Sequence, residues 1–152
     1  MTEEPLYLGG LFPEEIAEAL AVKPFQGRQL FQWIHGKGVQ HFDGMTNLSL
    51  ALRADLATRC AIESATLVES RESEASGTLK VLLALADGQT VESVLIRDED
   101  RVTLCVSSQV GCPLQCSFCA TGAAGFRRNL TPGEIVAQAL WLLRVGEVPR
   151  TV

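Results

Sequence analysis

The 152-residue sequence lacks any run of about 18 consecutive apolar residues, so it offers no helix able to span a membrane. Its start, Met1 to Pro5, is acidic and has no basic segment leading into an apolar one. A secretory signal is therefore absent, and the cytoplasm is the expected compartment. No internal repeat and no low-complexity stretch interrupts the chain. Nor is there an excess of positive charge: 13 Lys and Arg stand against 18 Asp and Glu, a formal net charge of −5. That balance argues against non-specific nucleic-acid binding by the chain as a whole. The cysteine count is odd, five, and without a secretory signal a disulfide framework is a poor reading; clustered cysteines point instead to a metal or redox chemistry. What is present is ordinary globular material. The chain is 47% apolar and 20% charged, which excludes wholesale disorder and suits one domain, or a small domain with part of another.

Charge is unevenly spread. Residues 1–60 carry 5 basic and 7 acidic groups, residues 61–100 carry 3 and 9, and residues 101–152 carry 5 and 2. The last third is locally basic through Arg101, Arg127, Arg128, Arg144 and Arg150. The first sixty residues read as three short helices. Residues 13–21 combine Pro13 in a first turn, two glutamates at the positive helix end, and alanine and leucine of high propensity. Residues 26–35 place Leu30, Phe31 and Ile34 at helical spacing, with Trp33 beside them, and Gly36 and Gly38 stop the helix. Asn47 or Ser49 caps a third helix running to about Cys60, with Leu50, Leu52 and Leu56 as its apolar residues.

Beyond residue 62 the pattern becomes β-rich. Thr78 to Ala86 and Thr90 to Ile96 are two strands joined by the turn signal Asp87-Gly88, a hairpin. Residues 97–100 are a polar turn. Val102 to Ser107 then alternates, with Val102, Leu104 and Val106 on one face and Thr103, Cys105 and Ser107 on the other. Gln109 to Asn129 is glycine-rich and aperiodic, a long loop holding three cysteines and so a candidate functional loop. Thr131, Pro132 and Glu134 open a last helix through a capping box, with Ile135, Ala139 and Leu142 as its apolar stripe and Gly146 at its end. Strand, long loop and helix form the opening unit of an α/β domain. One such unit cannot bury both of its faces, so further polypeptide is expected to complete the core.

The chemistry concentrates in Cys112, Cys116 and Cys119. Three thiolates at spacings of four and three residues can wrap one compact inorganic centre. An iron–sulfur cubane held by three cysteines keeps one iron without a protein ligand, open to a small molecule. Zinc is the alternative, with Cys105 as a fourth ligand; no histidine follows the triplet to complete a Cys/His zinc pattern. A bland reading, small residues buried in a packed loop, also stands. Cys105 itself lies on the polar strand face at the mouth of the loop, where a thiol suits chemistry better than packing, although a small interior strand residue fits the same pattern. Glu92 shares a strand face with Val94 and Ile96. A carboxylate on an apolar face raises its pKa as a general base requires, while an edge glutamate facing water is the equal alternative. Arg127 and Arg128, directly after the loop, grip phosphate or solvate the loop, and phosphate is favoured. His35 and His41 read as surface residues, Cys60 as structural, and Trp33 with Phe31 as core.

The three-cysteine spacing, with Phe118 before the last cysteine, resembles the radical S-adenosylmethionine superfamily. The wider run from Leu104 through Cys112, Phe118 to Gly122 and on to Arg128, Asn129, Leu130 and Thr131 resembles a narrower group. This is the bacterial family that methylates C2 of adenine in 23S ribosomal RNA and transfer RNA, the RlmN family. Gly27 to Trp33 and Phe42 to Leu48 also resemble that family's N-terminal accessory domain, so the likeness spans nearly the whole chain. It implies that Cys112, Cys116 and Cys119 hold a [4Fe-4S] cluster, whose open iron takes the amino and carboxylate groups of S-adenosylmethionine. One-electron cleavage then gives a 5′-deoxyadenosyl radical, which takes hydrogen from a methyl group carried on a C-terminal cysteine. The resulting methylene radical adds to the adenine ring. Glu92 matches the proton acceptor. Cys105 matches the resolving thiol, which forms a disulfide with the methyl-carrying sulfur and frees the product.

By the same resemblance the partners are 23S rRNA, tRNA and an electron-donating flavodoxin-type reductase system, and the protein is a monomer. The expected fold is α/β, with residues 1–62 as a helical accessory domain and residues 63–98 as a β-hairpin extension. Residues 99–152 would then be a truncated radical SAM core, the first β-loop-α unit of a partial TIM-type barrel. No cysteine follows Cys119, so the methyl-carrying residue is missing, and the chain is expected to be inactive alone. A C8-methylating relative of the resistance type, or a non-catalytic zinc or iron–sulfur module, are the alternative functions.

Overall fold

The computed structural model describes residues 5–148. Arg150 and the acidic start, residues 1–4, lie outside the described residues. The helical unit comes first. Helix α1 (Pro13–Leu20) begins as expected at its proline, with the Phe12 amide donating to Glu15 Oε2 at 2.7 Å. Helix α2 (Pro24–Phe31) starts two residues earlier than the sequence suggested, because the Lys23 amide donates to Gln26 Oε1 at 3.0 Å and Pro24 fills the first turn. It runs on as a wider π-helical turn, Gln32–Gly36. Gly27 sits where α1 crosses α2. A Cβ there would lie 2.2 Å from the Pro13 carbonyl oxygen, so the two helices meet only because this residue has no side chain.

Helix α3 (Leu50–Arg59) is capped by Ser49, whose Oγ accepts from the Leu52 amide at 3.3 Å. Of its three leucines only Leu56 is fully buried; Leu50 is 77% exposed, on the far side of a short helix that shows the core one narrow stripe. A two-residue parallel pair, β1 (Leu6–Tyr7) with β2 (Cys60–Ala61), closes the unit by joining its two ends. Leu8, Ile16, Leu20, Leu30, Ile34, Phe42, Met45 and Leu56 fill its core.

The second unit is an antiparallel sheet in the order β3 (Ala65–Glu72), β4 (Leu79–Leu85), β5 (Thr90–Asp98), β6 (Arg101–Cys105). The expected hairpin is β4–β5. Strand β3 went unread because charge replaces alternation after a bulge between Leu67 and Glu69. The polar turn is tighter than expected: β5 continues through Asp98, and Glu99 takes the left-handed conformation at φ 48°. Strand β6 is the sheet's outer strand, antiparallel to β5. Among the described residues the only parallel pair is β1–β2, and the architecture is mixed α/β. Val102 and Val106, which share a strand face with Leu104, are 39% and 37% exposed at this edge of the sheet.

Residues 109–129 are not one open loop. β7 (Gln109–Gly111) and β8 (Phe126–Asn129) form a two-stranded ribbon at its base, and α4 (Ala120–Ala123) is a single turn within it. The ribbon delivers the chain to α5 (Pro132–Val145), which starts on the expected capping box: Thr131 Oγ1 accepts from the Glu134 amide and Glu134 Oε2 accepts from the Thr131 amide. α5 lies across one sheet face, over Val81, Leu83, Val91 and Leu95. Its stripe is rotated from the reading above. Ala137, Leu140 and Leu142 are buried together with two polar residues, Glu134 and Gln138, while Ile135 and Ala139 are only partly buried. Leu140 also enters the helical unit's core, so α5 joins both units. No helix among the described residues is long and apolar enough to cross a membrane.

Candidate cysteine-loop site

The loop is pinched at its base by two glycines. Gly111 and Gly125 both adopt φ +75°, and a Cβ on Gly111 would lie 1.7 Å from the Gly125 carbonyl oxygen. The Cys112 amide donates to that same oxygen at 3.2 Å. Farther along, the Cys119 amide donates to the Cys116 carbonyl at 3.0 Å, and Gly122 packs so closely that a Cβ would come 3.1 Å from the Cys116 nitrogen. Cys112 and Cys119 are half-buried and Cys116 is exposed. The apolar residues between them face outward, with Leu114 78% and Phe118 91% exposed.

All five cysteines are free thiols, so no disulfide joins any two of them here. The donor set fits an iron–sulfur centre in its chemistry: three soft, accessible sulfurs on one glycine-shaped loop closed at its base. The sulfurs are not gathered for it. Among the described residues no three His, Cys, Asp or Glu side chains stand close enough together to hold a metal ion.

Strand register brings Cys105 and Glu92 to one face. Cys105 pairs with Val94, two residues from Glu92, so the two side chains are diagonal neighbours on the sheet face opposite α5. Such neighbours sit roughly 7–8 Å apart. Both are exposed. Glu92 is therefore not a desolvated carboxylate on an apolar face; it is open to water and ion-paired with Lys80 at 2.9 Å. The face alternates as read, but nothing among the described residues covers it. Cys60 is buried in the helical core, and burial pushes its thiol pKa up.

The two arginines part company. Arg127 is exposed. Arg128 is partly exposed and is engaged by groups of the protein itself. It meets Glu134 with two hydrogen bonds, at 2.9 and 2.7 Å, and donates to Asp87 Oδ2 at 2.7 Å and to the Asn129 carbonyl at 3.2 Å. The carboxylates raise the Arg128 pKa, and the guanidinium holds both Glu134 and Asp87 below their usual range. Sequence reasoning missed Gln138, fully buried and bonded to Ser93 and Ser107. The available signal was its place four residues after Glu134 on a helix face that had to be core. His35 stacks on Phe31 at 4.2 Å and His41 is exposed; Trp33 packs against the helical core beneath Lys37.

Three comparisons bear on this arrangement. The family model for the ribosomal RNA large subunit methyltransferase N-terminal domain matches residues 14–62. The dual-specificity RNA methyltransferase RlmN of Magnetococcus marinus is 50% identical over 132 residues, covering 85% of this chain and 36% of the relative. Its counterpart in a Marinomonas species is 49% identical over 138 residues, covering 88% and 37%. The crystal structure of a radical SAM methyltransferase from Sphaerobacter thermophilus superposes with a TM-score of 0.87 at 44% identity, over 94% of this chain and 43% of that one. The chain thus spans a little over a third of the length of the curated relatives it matches.

Proposed function

From a chain that corresponds to the N-terminal part of the RlmN family, we propose a contribution to radical S-adenosylmethionine methylation of RNA, at C2 of adenine in 23S rRNA and tRNA. The observation that carries this reading is the set of three free thiols on one pinched loop, within a sequence about half identical to RNA methyltransferases. Cys112, Cys116 and Cys119 would hold a [4Fe-4S] cluster that binds S-adenosylmethionine. The cluster, when bound, supplies the electron that cleaves the sulfonium.

The rest falls to side chains. Adenine C2–H is not acidic enough for a polar methyl donor to replace its proton directly, so a radical route leaves a proton to be removed after addition. Glu92 accepts that proton, and its open, Lys80-paired position keeps it within reach of a base laid on the sheet face. Cys105, its diagonal neighbour, is the resolving thiol. The reading thus assigns the cluster to Cys112, Cys116 and Cys119, the resolving thiol to Cys105 and the base to Glu92. The same reading makes residues 1–62 an accessory domain and residues 63–98 an extension of a radical SAM core that starts at residue 99. It makes the protein a cytoplasmic monomer fed by a flavodoxin-type reductase.

Anaerobic reconstitution with iron and sulfide tests it. The expected product is brown, absorbs near ~400 nm and carries about four irons per chain. A colourless protein holding one zinc per chain would overturn the reading.

A further inference from the structure

We propose that Gln138 is a positioning residue that fixes Glu92 and Cys105 relative to one another and to the mouth of the cysteine loop. The proposal rests on the functional reading of those two residues and deepens it. Gln138 is fully buried on α5, where an unpaired amide is costly. Every hydrogen-bonding position of its amide is used. Oε1 accepts from Ser93 Oγ and from the Ser107 amide, both at 2.7 Å, and Nε2 donates to the Ser107 carbonyl at 2.9 Å and the Glu134 carbonyl at 3.1 Å.

These contacts fall where the sheet ends. The β5–β6 ladder stops at Val94 with Cys105, so Glu92 has no partner residue on β6. Beyond that point Ser107 takes over: its Oγ donates to the Glu92 carbonyl at 2.9 Å while its own backbone is held on both sides by Gln138. Ser93, the neighbour of Glu92, is tied to the same amide. One side chain therefore links the residue next to the proposed base with the residue two beyond the proposed thiol. One turn earlier on α5, Glu134 holds Arg128 at the loop's exit. An apolar residue at position 138 would pack as well but would leave Ser93 Oγ and both Ser107 backbone groups unpaired.

The test uses the full 152-residue chain with Gln138→Met, which keeps the length of the side chain and removes its hydrogen bonds. In the metal-free protein, amide hydrogen exchange at residues 105–108 should rise about tenfold while exchange in β3 and β4 stays unchanged. After anaerobic reconstitution, the paramagnetic resonance signal of the reduced cluster should differ from that of the unmodified chain. If Gln138→Met does not fold, Ser93→Ala removes a single bond and should raise the same exchange about threefold. Unchanged exchange at 105–108 in a folded variant, or a reconstituted signal superimposable on that of the unmodified chain, overturns the proposal. Should the unmodified chain bind no iron, the cluster reading fails, and the exchange measurement alone decides the role of Gln138.

Discussion

The helical unit and the cysteine loop are held by opposite means. The first is a closed apolar core in which Leu8, Ile16, Leu30, Met45 and Leu56 are fully buried. The second has a base fixed by hydrogen bonds and glycine geometry, and a tip where Cys116, Leu114 and Phe118 face water while Cys112 and Cys119 are half-buried. The contrast teaches where each kind of residue acts. Burial of apolar side chains holds the first unit together. The loop has a base closed by backbone contacts and a more exposed tip.

The sharpest way to break the comparison is to damage the apolar side. Leu30→Ala should cost about 2–5 kcal/mol in urea unfolding, because a fully buried leucine leaves a cavity. The loop's base should respond next. Gly111→Ala places a Cβ on the Gly125 carbonyl at a positive φ and should cost about 1–3 kcal/mol, with amide exchange rising across residues 109–129. Arg128→Met should cost about 1–3 kcal/mol at neutral pH by leaving buried Glu134 unpaired.

That variant also carries a pH signature. Glu134 and Asp87 have folded pKa values below their ordinary 4.5 and 3.8. Their stabilisation is present above those ordinary values and is lost as pH falls through the folded ones. The unmodified chain should therefore lose stability as acid is added below about pH 4.5, and Arg128→Met should lose less over the same range, read from urea midpoints across pH 2–6. The smallest effect belongs to the exposed pair: Lys80→Ala should change stability by less than about 0.5 kcal/mol.

The same contrast decides what was legible in the sequence. Pro13, Ser49 and the Thr131–Glu134 box announce helix starts through local chemistry, and all three stand where expected. The Asp87-Gly88 turn signal between two β-rich runs announces the β4–β5 hairpin, and the pattern of β5 puts Glu92 on one face with Val94 and Ile96. Local pattern could not say that this face lies open, because burial depends on what lies above it. Nor could it show the fate of Arg128, whose partners Asp87 and Glu134 lie 41 and 6 residues away, or of Gln138, whose bond to Ser93 spans 45. The two-residue pair β1–β2 is too short to carry any periodicity. The cysteine spacing was legible as chemistry, while the ribbon at the loop's base rests on a backbone approach that two glycines permit and no periodicity announces.

Iron stoichiometry after anaerobic reconstitution, compared among five single Cys→Ser variants, tests the central assignment most directly. The account predicts that replacing Cys112, Cys116 or Cys119 abolishes iron retention, whereas Cys60→Ser and Cys105→Ser keep about four irons per chain. Loss of the cluster in Cys105→Ser would make that thiol a fourth ligand and contradict the open iron site, as would full iron content in any one of the three loop variants.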